Sequence, residues 1–181
     1  MQNKYKNKKC KVCQNEFTPT QFAQVACSIP CAITHGRNLQ TKKVRQEIRY
    51  AREAIKTRQD WIKEAQREFN KFIRLRDKSE PCISCQRFHT GQYHAGHFRT
   101  TGAAPELRFC EENVFRQCAP CNNHLSGNLL EYRKNLVKKL GIEKVEWLES
   151  KHPPKKWTIE ELQEIKKIYK QKCKEIENGK A

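Results

Sequence analysis

The 181-residue chain holds 37 Lys and Arg against 20 Asp and Glu, a net charge of +17, with 36% hydrophobic and 31% charged residues. Such a composition excludes one large apolar core and favours small units stapled by metal, because burial alone seldom stabilises short segments. No apolar run reaches membrane-spanning length and MQNKYKNKKC lacks the apolar region of a secretion signal, so the expected location is the cytoplasm. Ten cysteines in a reducing compartment point to thiolates on metal instead of disulfides.

The charge is uneven. Residues 1–80 carry 19 basic and 8 acidic side chains, residues 81–128 carry 4 and 3, and residues 129–181 carry 14 and 9. A nearly neutral centre with basic flanks suits a polyanionic partner gripped by its phosphates while local chemistry proceeds in the middle. The expected division is 1–36, 37–80, 81–141 and 142–181, and the expected class is α+β, mostly helical.

Residues 1–9 are polar and lysine-rich and read as a disordered arm. Cys10-x-x-Cys13 and Cys27-x3-Cys31 follow, a four-cysteine spacing that predicts a structural zinc module. Its hairpin would carry Phe17 and Phe22, and its second cysteine pair would open a helix. His35 is an alternative fourth ligand to Cys31. Such a module either contacts DNA or protein, or serves only as a folding nucleus. From about Arg37 to Lys78 the pattern is helical. Val44, Ile48, Ala51 and Ile55 form one stripe, and Ile62, Ala65, Phe69, Phe72 and Ile73 form the next. Thr57 and Asp60 are N-cap residues, which places an interruption near 57–60. Lys42, Lys43, Arg45, Arg49 and Arg52 line the polar face of the first helix and are candidate phosphate contacts; a solvated face is the plain alternative. The apolar stripe on the same helix suggests a partner helix, from a second subunit.

Pro81 ends the helical run. Cys82-x-x-Cys85 and Cys118-x-x-Cys121 then bracket His89, His94, His97 and Asn113, with Asn122 and His124 just beyond. Two such knuckles suit a closed tetrahedral zinc site. The 32 residues between them are more than a minimal ribbon needs and allow a β-hairpin, with a helix over Leu125–Leu140 after it, giving a zinc-stapled ββα unit. Gly141 stops that helix. A short helix covers about Ile142–Ser150, His152-Pro153-Pro154 breaks it, and a last helix starts at Thr158 with a Thr158/Glu161 capping box. Ile159, Leu162, Ile165, Ile168 and Tyr169 form its stripe, and Cys173 reads as a small packed side chain.

Two-metal phosphodiester hydrolysis on carboxylates is disfavoured, since no Asp or Glu occurs between Cys85 and Glu106. A histidine general base with one divalent ion on the phosphate is the route these residues permit. Arg99, Arg108 and Arg116 are candidates for gripping the scissile phosphate, because a guanidinium fork matches its oxygens; Arg116 is alternatively a surface partner of Glu112. Cys110 has no assignment.

The strings PCISC, AGHFRTTGAAPELRF and CNNHLSGNLLEYR resemble the NinG (Rap) recombination proteins of lambdoid phages, and the order His97, Asn113, Asn122/His124 between zinc knuckles resembles the HNH endonucleases in their zinc-stapled, treble-clef-like form. The likeness extends over nearly the whole chain. It implies a metal-dependent endodeoxyribonuclease that nicks Holliday junctions and other branched DNA such as a D-loop or flap, with two structural Zn2+ and a catalytic Mg2+ or Mn2+. It assigns His97 to the general base, Asn113 to orienting that imidazole, Asn122 to the catalytic ion, and His124 to the ion or the phosphate. His94 stands where relatives are expected to carry an acidic ligand, so it either ligates with altered metal preference or does not ligate. Symmetric cutting of a four-way junction implies a homodimer, and host recombination proteins are possible partners. The rival expectations are a non-catalytic zinc protein that binds DNA junctions as a recombination accessory, and an RNA-binding ribonucleoprotein factor.

Overall fold

The computed structural model describes residues 5–179 and divides the chain into two compact units, Met1–Lys56 and Thr57–Ala181. Residues 1–4 of the expected arm lie outside the described residues.

In the first unit β1 (Lys8–Lys9) pairs antiparallel with β2 (Glu16–Phe17), so the end of the expected arm is strand. The two-stranded hairpin is built around Cys10 and Cys13, whereas Phe22 lies beyond it and is exposed. α1 (Ile29–Ala54) opens within the second cysteine pair, as expected, and continues without a break past Arg37. The reason is local: the Ser28 side chain accepts from the Cys31 N–H, and Pro30 stands in the first turn, where a missing N–H costs nothing. No residue of α1 is buried. The unit has almost no apolar interior, Cys10 and Ala26 being its buried hydrophobic residues.

The second unit opens with α2 (Arg58–Arg76). Thr57 is its N-cap and Asp60 closes a reciprocal capping box, so the break falls where these two residues predict it. β3 (Tyr93–His97) and β4 (Val114–Cys118) form an antiparallel hairpin with His94 opposite Gln117 and His97 opposite Val114. A π-helical turn at Pro120–His124 leads to α3 (Leu129–Leu140), followed by α4 (Ile142–Glu149) and α5 (Ile159–Glu177). α3 starts later than Leu125 because Ser126, Gly127 and Asn128 all adopt positive φ, which no helix continues. α5 begins at its Thr158/Glu161 box as expected, but Ile168 is exposed and Cys173 takes the buried place on its stripe.

The hairpin is covered on both faces. Val114, with Ala95 against it, joins Phe69, Phe72, Ile73, Leu162 and Tyr169 from α2 and α5 in one core. Phe98 and Phe115 join Tyr132, Leu136, Val145 and Leu148 from α3 and α4 in the other. Strand alternation explains the split, since neighbouring residues point to opposite faces. The buried Tyr132 hydroxyl ties α3 to both strands at once, donating to the Gly96 carbonyl at 2.9 Å and accepting from the Phe115 N–H at 3.1 Å. No helix among the described residues is long and apolar enough to cross a membrane.

Candidate metal centres and candidate active site

Two four-cysteine clusters stand out. The sulfurs of Cys10, Cys13, Cys27 and Cys31 lie within 4.8 Å of one another, and so do those of Cys82, Cys85, Cys118 and Cys121. A tetrahedral zinc at about 2.3 Å from each thiolate requires sulfurs about 3.8 Å apart. Cys13–Cys27 is 3.5 Å, Cys27–Cys31 is 3.8 Å and Cys85–Cys118 is 3.9 Å, and all ten cysteines are free thiols. Electrostatics agrees. Backbone N–H groups of Cys13 and Val12 hold the Cys10 thiol down at about 6, while the sulfurs of Cys13 and Cys10 push Cys27 up to about 12. One thiolate in such a cluster forces its neighbour to stay neutral unless a cation joins them, so both clusters fit a zinc ion. His35 is outside the first cluster, and Cys110 and Cys173 are outside both.

The local fold makes the second cluster. Ile83 donates its N–H to the Arg116 carbonyl and Ala119 donates to the Gln92 carbonyl, so the two knuckles are laid against the end of the hairpin. The Cys118 N–H points at the Cys82 sulfur at 3.4 Å. His89 places Nε2 3.2 Å from the Cys85 sulfur, and its backbone N–H donates to the Tyr93 hydroxyl at 2.7 Å. Its spacing of four from Cys85 is the only signal the sequence offered.

His97 lies at the far end of β3. Its Nε2 is 3.0 Å from the Arg108 carbonyl, which can only accept, so the ring proton sits on Nε2 and the lone pair on Nδ1. Burial lowers the pKa of His97, and the Arg108 guanidinium acts in the same direction against the opposing carbonyls of Arg108 and Ala95. The ring is therefore held neutral, as a proton acceptor must be.

Asn113 is fully buried and fixes this geometry from one step away. Its Oδ1 accepts from the Arg99 N–H at 2.8 Å, and its Nδ2 donates to the carbonyls of Arg99 at 3.0 Å and Leu107 at 3.2 Å. The Phe98 N–H donates to the Asn113 carbonyl at 2.8 Å. One side chain thus closes the 98–113 loop at both ends, and residue 108, whose carbonyl holds His97, follows directly on the clamped Leu107.

His97 and Asn122 line one open cleft of about 320 Å3, together with Ala95, Thr100, Ser126 and Leu129. Asn122 donates Nδ2 to Asn123 Oδ1 at 2.7 Å, which leaves its own Oδ1 as a hard oxygen ligand. His124 is exposed at the end of the π-helical turn and does not line the cleft. His94 does not line it either, because strand alternation sets it on the face opposite His97. Its Nε2 is nonetheless buried with no hydrogen-bond partner among the described residues, an arrangement that costs free energy until a donor or cation completes it. Asn122 Oδ1 is thus a donor in the cleft that fits a divalent ion, whereas His94 Nε2, on the opposite face of the strand, is not placed to share that ion. No third cluster of His, Cys, Asp or Glu exists among the described residues, so water and phosphate oxygens would complete the shell of such an ion.

The arginines of the neutral centre are committed to different degrees. Arg116 donates to the carbonyls of Lys78 and Glu80 and covers the Tyr93 ring at 3.5 Å, while Glu112 pairs with Lys144 instead. Arg99 reaches the Glu149 carbonyl at the end of α4. Arg108 is half-buried and touches Gln66 of α2 at 3.2 Å. Lys42, Lys43, Arg45, Arg49 and Arg52 are all exposed on α1.

Against known proteins, the family described as Bacteriophage Lambda NinG protein matches residues 2–179. Protein ninG of Escherichia phage 933W is 39% identical over 196 residues, covering 96% of each chain. Protein ninG of Escherichia phage lambda is 50% identical over 128 residues, and that of Salmonella phage P22 is 48% identical over 128 residues; each alignment covers 71% of this chain and 63% of the relative. No solved structure matches the chain. A match of nearly full length, joined to relatives at these identities, places this chain in the NinG family of bacteriophage proteins.

Proposed function

We propose that the protein is a metal-dependent endonuclease that nicks Holliday junctions and related branched DNA during phage recombination, with a zinc-stapled HNH-like core. The observation that carries this reading is the clamp from Asn113 through Leu107 and Arg108 to His97, which fixes one imidazole tautomer beside the Asn122 amide. A buried asparagine that organises a loop to present one backbone carbonyl to one histidine has little purpose in a zinc module that only binds.

In this reading His97 Nδ1 accepts the proton of the attacking water. The imidazolium that forms is stabilised by its Nε2–H bond to the Arg108 carbonyl. Asn122 is the side chain in the cleft that would hold Mg2+ or Mn2+, which when bound would supply charge neutralisation at the phosphate and the leaving oxygen. Thr100 and Ser126 offer hydroxyls to phosphate oxygens in the same cleft. The Arg108 guanidinium acts on the same imidazole and adds positive field. Paired cuts across a four-way junction need two sites, so the reading includes a homodimer, and the exposed apolar residues Ile33, Val44 and Ile48 of α1 support self-association. A non-catalytic junction-binding role is favoured by one observation: no carboxylate lines the cleft.

Cleavage of an end-labelled four-way junction beside a linear duplex, with Mg2+, Mn2+ or EDTA, separates the two. Paired ion-dependent nicks near the branch, lost in His97→Ala while binding persists, are expected. Tight binding with no cutting under either ion would replace the nuclease by the accessory role.

A further inference from the structure

The sequence places its phosphate contacts on α1, but a more sharply defined basic surface lies on α2, beside His97. Lys63, Arg67, Asn70 and Arg74 recur at spacings of four, three and four, which puts them on one face of the helix. With Gln66 and Arg108 they line a groove of about 400 Å3 that contains four cations and no carboxylate. Lys63 and Arg67 are exposed and Arg74 is half-buried. Arg67 also reaches Glu68 at 3.1 Å, while its own side chain stays largely exposed. The basic face of α5 differs, since Lys166 pairs with Glu64 and Lys167 lies near Glu164.

Position gives the groove its meaning. Arg108 joins it to the candidate active site, because its guanidinium touches Gln66 of α2 while its carbonyl holds His97 Nε2. From Lys63 to Arg74 the helix rises about 16 Å at about 1.5 Å per residue, the axial length of about five base pairs. The polar side chains Gln66 and Asn70 between the cations suit phosphate and sugar oxygens instead of base edges, and Gln66 already donates its Nε2 to Asn70 Oδ1 at 2.8 Å.

We propose that this face of α2, with Lys63, Arg67, Arg74 and Arg108, is the track that holds the phosphate backbone of a duplex arm leaving the His97 cleft. The inference rests on the nuclease reading for the identity of the polymer, and it names the surface that reading lacks. The contact is to backbone, so the track grips any sequence and sets where the branch sits relative to His97.

The test compares two triple variants of the full-length protein with equal loss of charge. Lys63→Gln/Arg67→Gln/Arg74→Gln strips the α2 track, and Lys167→Gln/Lys170→Gln/Lys174→Gln removes three of the four lysines, with Lys166, that line a groove beside α5. Far-UV circular dichroism checks that both fold. Binding of a fluorescent four-way junction is followed by anisotropy across a salt series, without divalent ions so that nothing is cut. The α2 variant is expected to weaken binding and to lower the slope of log affinity against log salt by about 3, at about 0.9 per lost phosphate contact, while the α5 variant keeps the wild-type slope. Equal slopes for both variants, an unchanged α2 variant, or no DNA binding by wild type would overturn the track. Cutting assays on the same proteins keep the two readings apart. A wild type that binds through α2 but never cuts removes the nuclease and leaves the track. A wild type that cuts, with an α2 variant that binds normally, removes the track and leaves the nuclease.

Discussion

Replacing Asn113 tests the linkage between loop and imidazole most directly. Asn113→Ala deletes an acceptor and a donor that satisfy three backbone groups, the Arg99 N–H and the carbonyls of Arg99 and Leu107. The site is closed to solvent, and each buried group left without a partner costs about 1–3 kcal/mol. The three share one loop and relax together, so the sum falls well short of additive, at about 3 kcal/mol. For a protein of this size that lowers Tm by roughly 10 °C. Activity should suffer more than stability at a temperature where the variant remains folded, because the Arg108 carbonyl then no longer has a fixed position and His97 loses its tautomer.

Asn113→Asp sharpens the test. It keeps the oxygen that accepts from the Arg99 N–H but turns a second oxygen towards two carbonyls, so at neutral pH it should be at least as destabilising as alanine. Differential scanning fluorimetry gives Tm, and junction cleavage under single-turnover conditions gives the chemical step. If Asn113→Ala melts within about 1 °C of wild type and cuts at the wild-type rate, the clamp does not organise the site and the reasoning fails.

Three further outcomes follow from the same geometry. Purified protein should contain two zinc ions per chain by elemental analysis, and Cys13→Ser or Cys118→Ser should each remove one; retention of both in either variant would contradict the four-cysteine assignments. The pH profile of cleavage should have its rising limb below the ordinary histidine value of about 6.5, because burial and then Arg108 hold the folded-state pKa of His97 down. The linked stability has the corresponding sign: the unfolded chain takes up a proton that folded His97 refuses, so His97 lowers stability as pH falls through that value and has no effect above it; a rising limb of cleavage above pH 7 would exclude this. Gly96→Ala should destabilise by about 1–3 kcal/mol, since an added Cβ would lie 2.2 Å from Gln117 Oε1 and Gln117 is itself held by Ser84 and the Gly127 carbonyl; wild-type Tm in that variant would show that Gln117 swings aside freely.

What the sequence disclosed depended on how local the cause was. The cysteine knuckles were legible because metal chemistry dictates their spacing, and the Thr57/Asp60 and Thr158/Glu161 boxes because capping is settled within four residues. The start of α1 was equally local: the second cysteine pair opens it, and the Ser28 cap and Pro30 within that pair begin the helix. The late start of α3 was hidden: Ser126 and Asn128 adopt positive φ without being glycine, and only the packing around Gln117, Ser84 and the Gly127 carbonyl demands it. Long-range roles were out of reach. Nothing near Tyr132 in sequence announces that its hydroxyl joins Gly96 to Phe115, and nothing near Arg116 says that its guanidinium belongs to the Lys78 and Glu80 carbonyls.

Arg108 serves the imidazole and the basic face of α2 at once. From sequence it was one of three arginines in a neutral centre. In the fold its carbonyl sets the protonation of His97, its guanidinium depresses the same imidazole's pKa, and that guanidinium also opens onto the cationic face of α2. Arg108→Lys keeps the charge and the backbone carbonyl but loses the planar contact to Gln66. It therefore separates the two functions of one residue. The pH limb of cleavage should stay where it is, because the carbonyl and a cation remain, while junction affinity should fall and cut positions should spread along the arm. A displaced pH limb with unchanged affinity and cut sites would mean that Arg108 serves the imidazole alone, and that the duplex arm is held elsewhere.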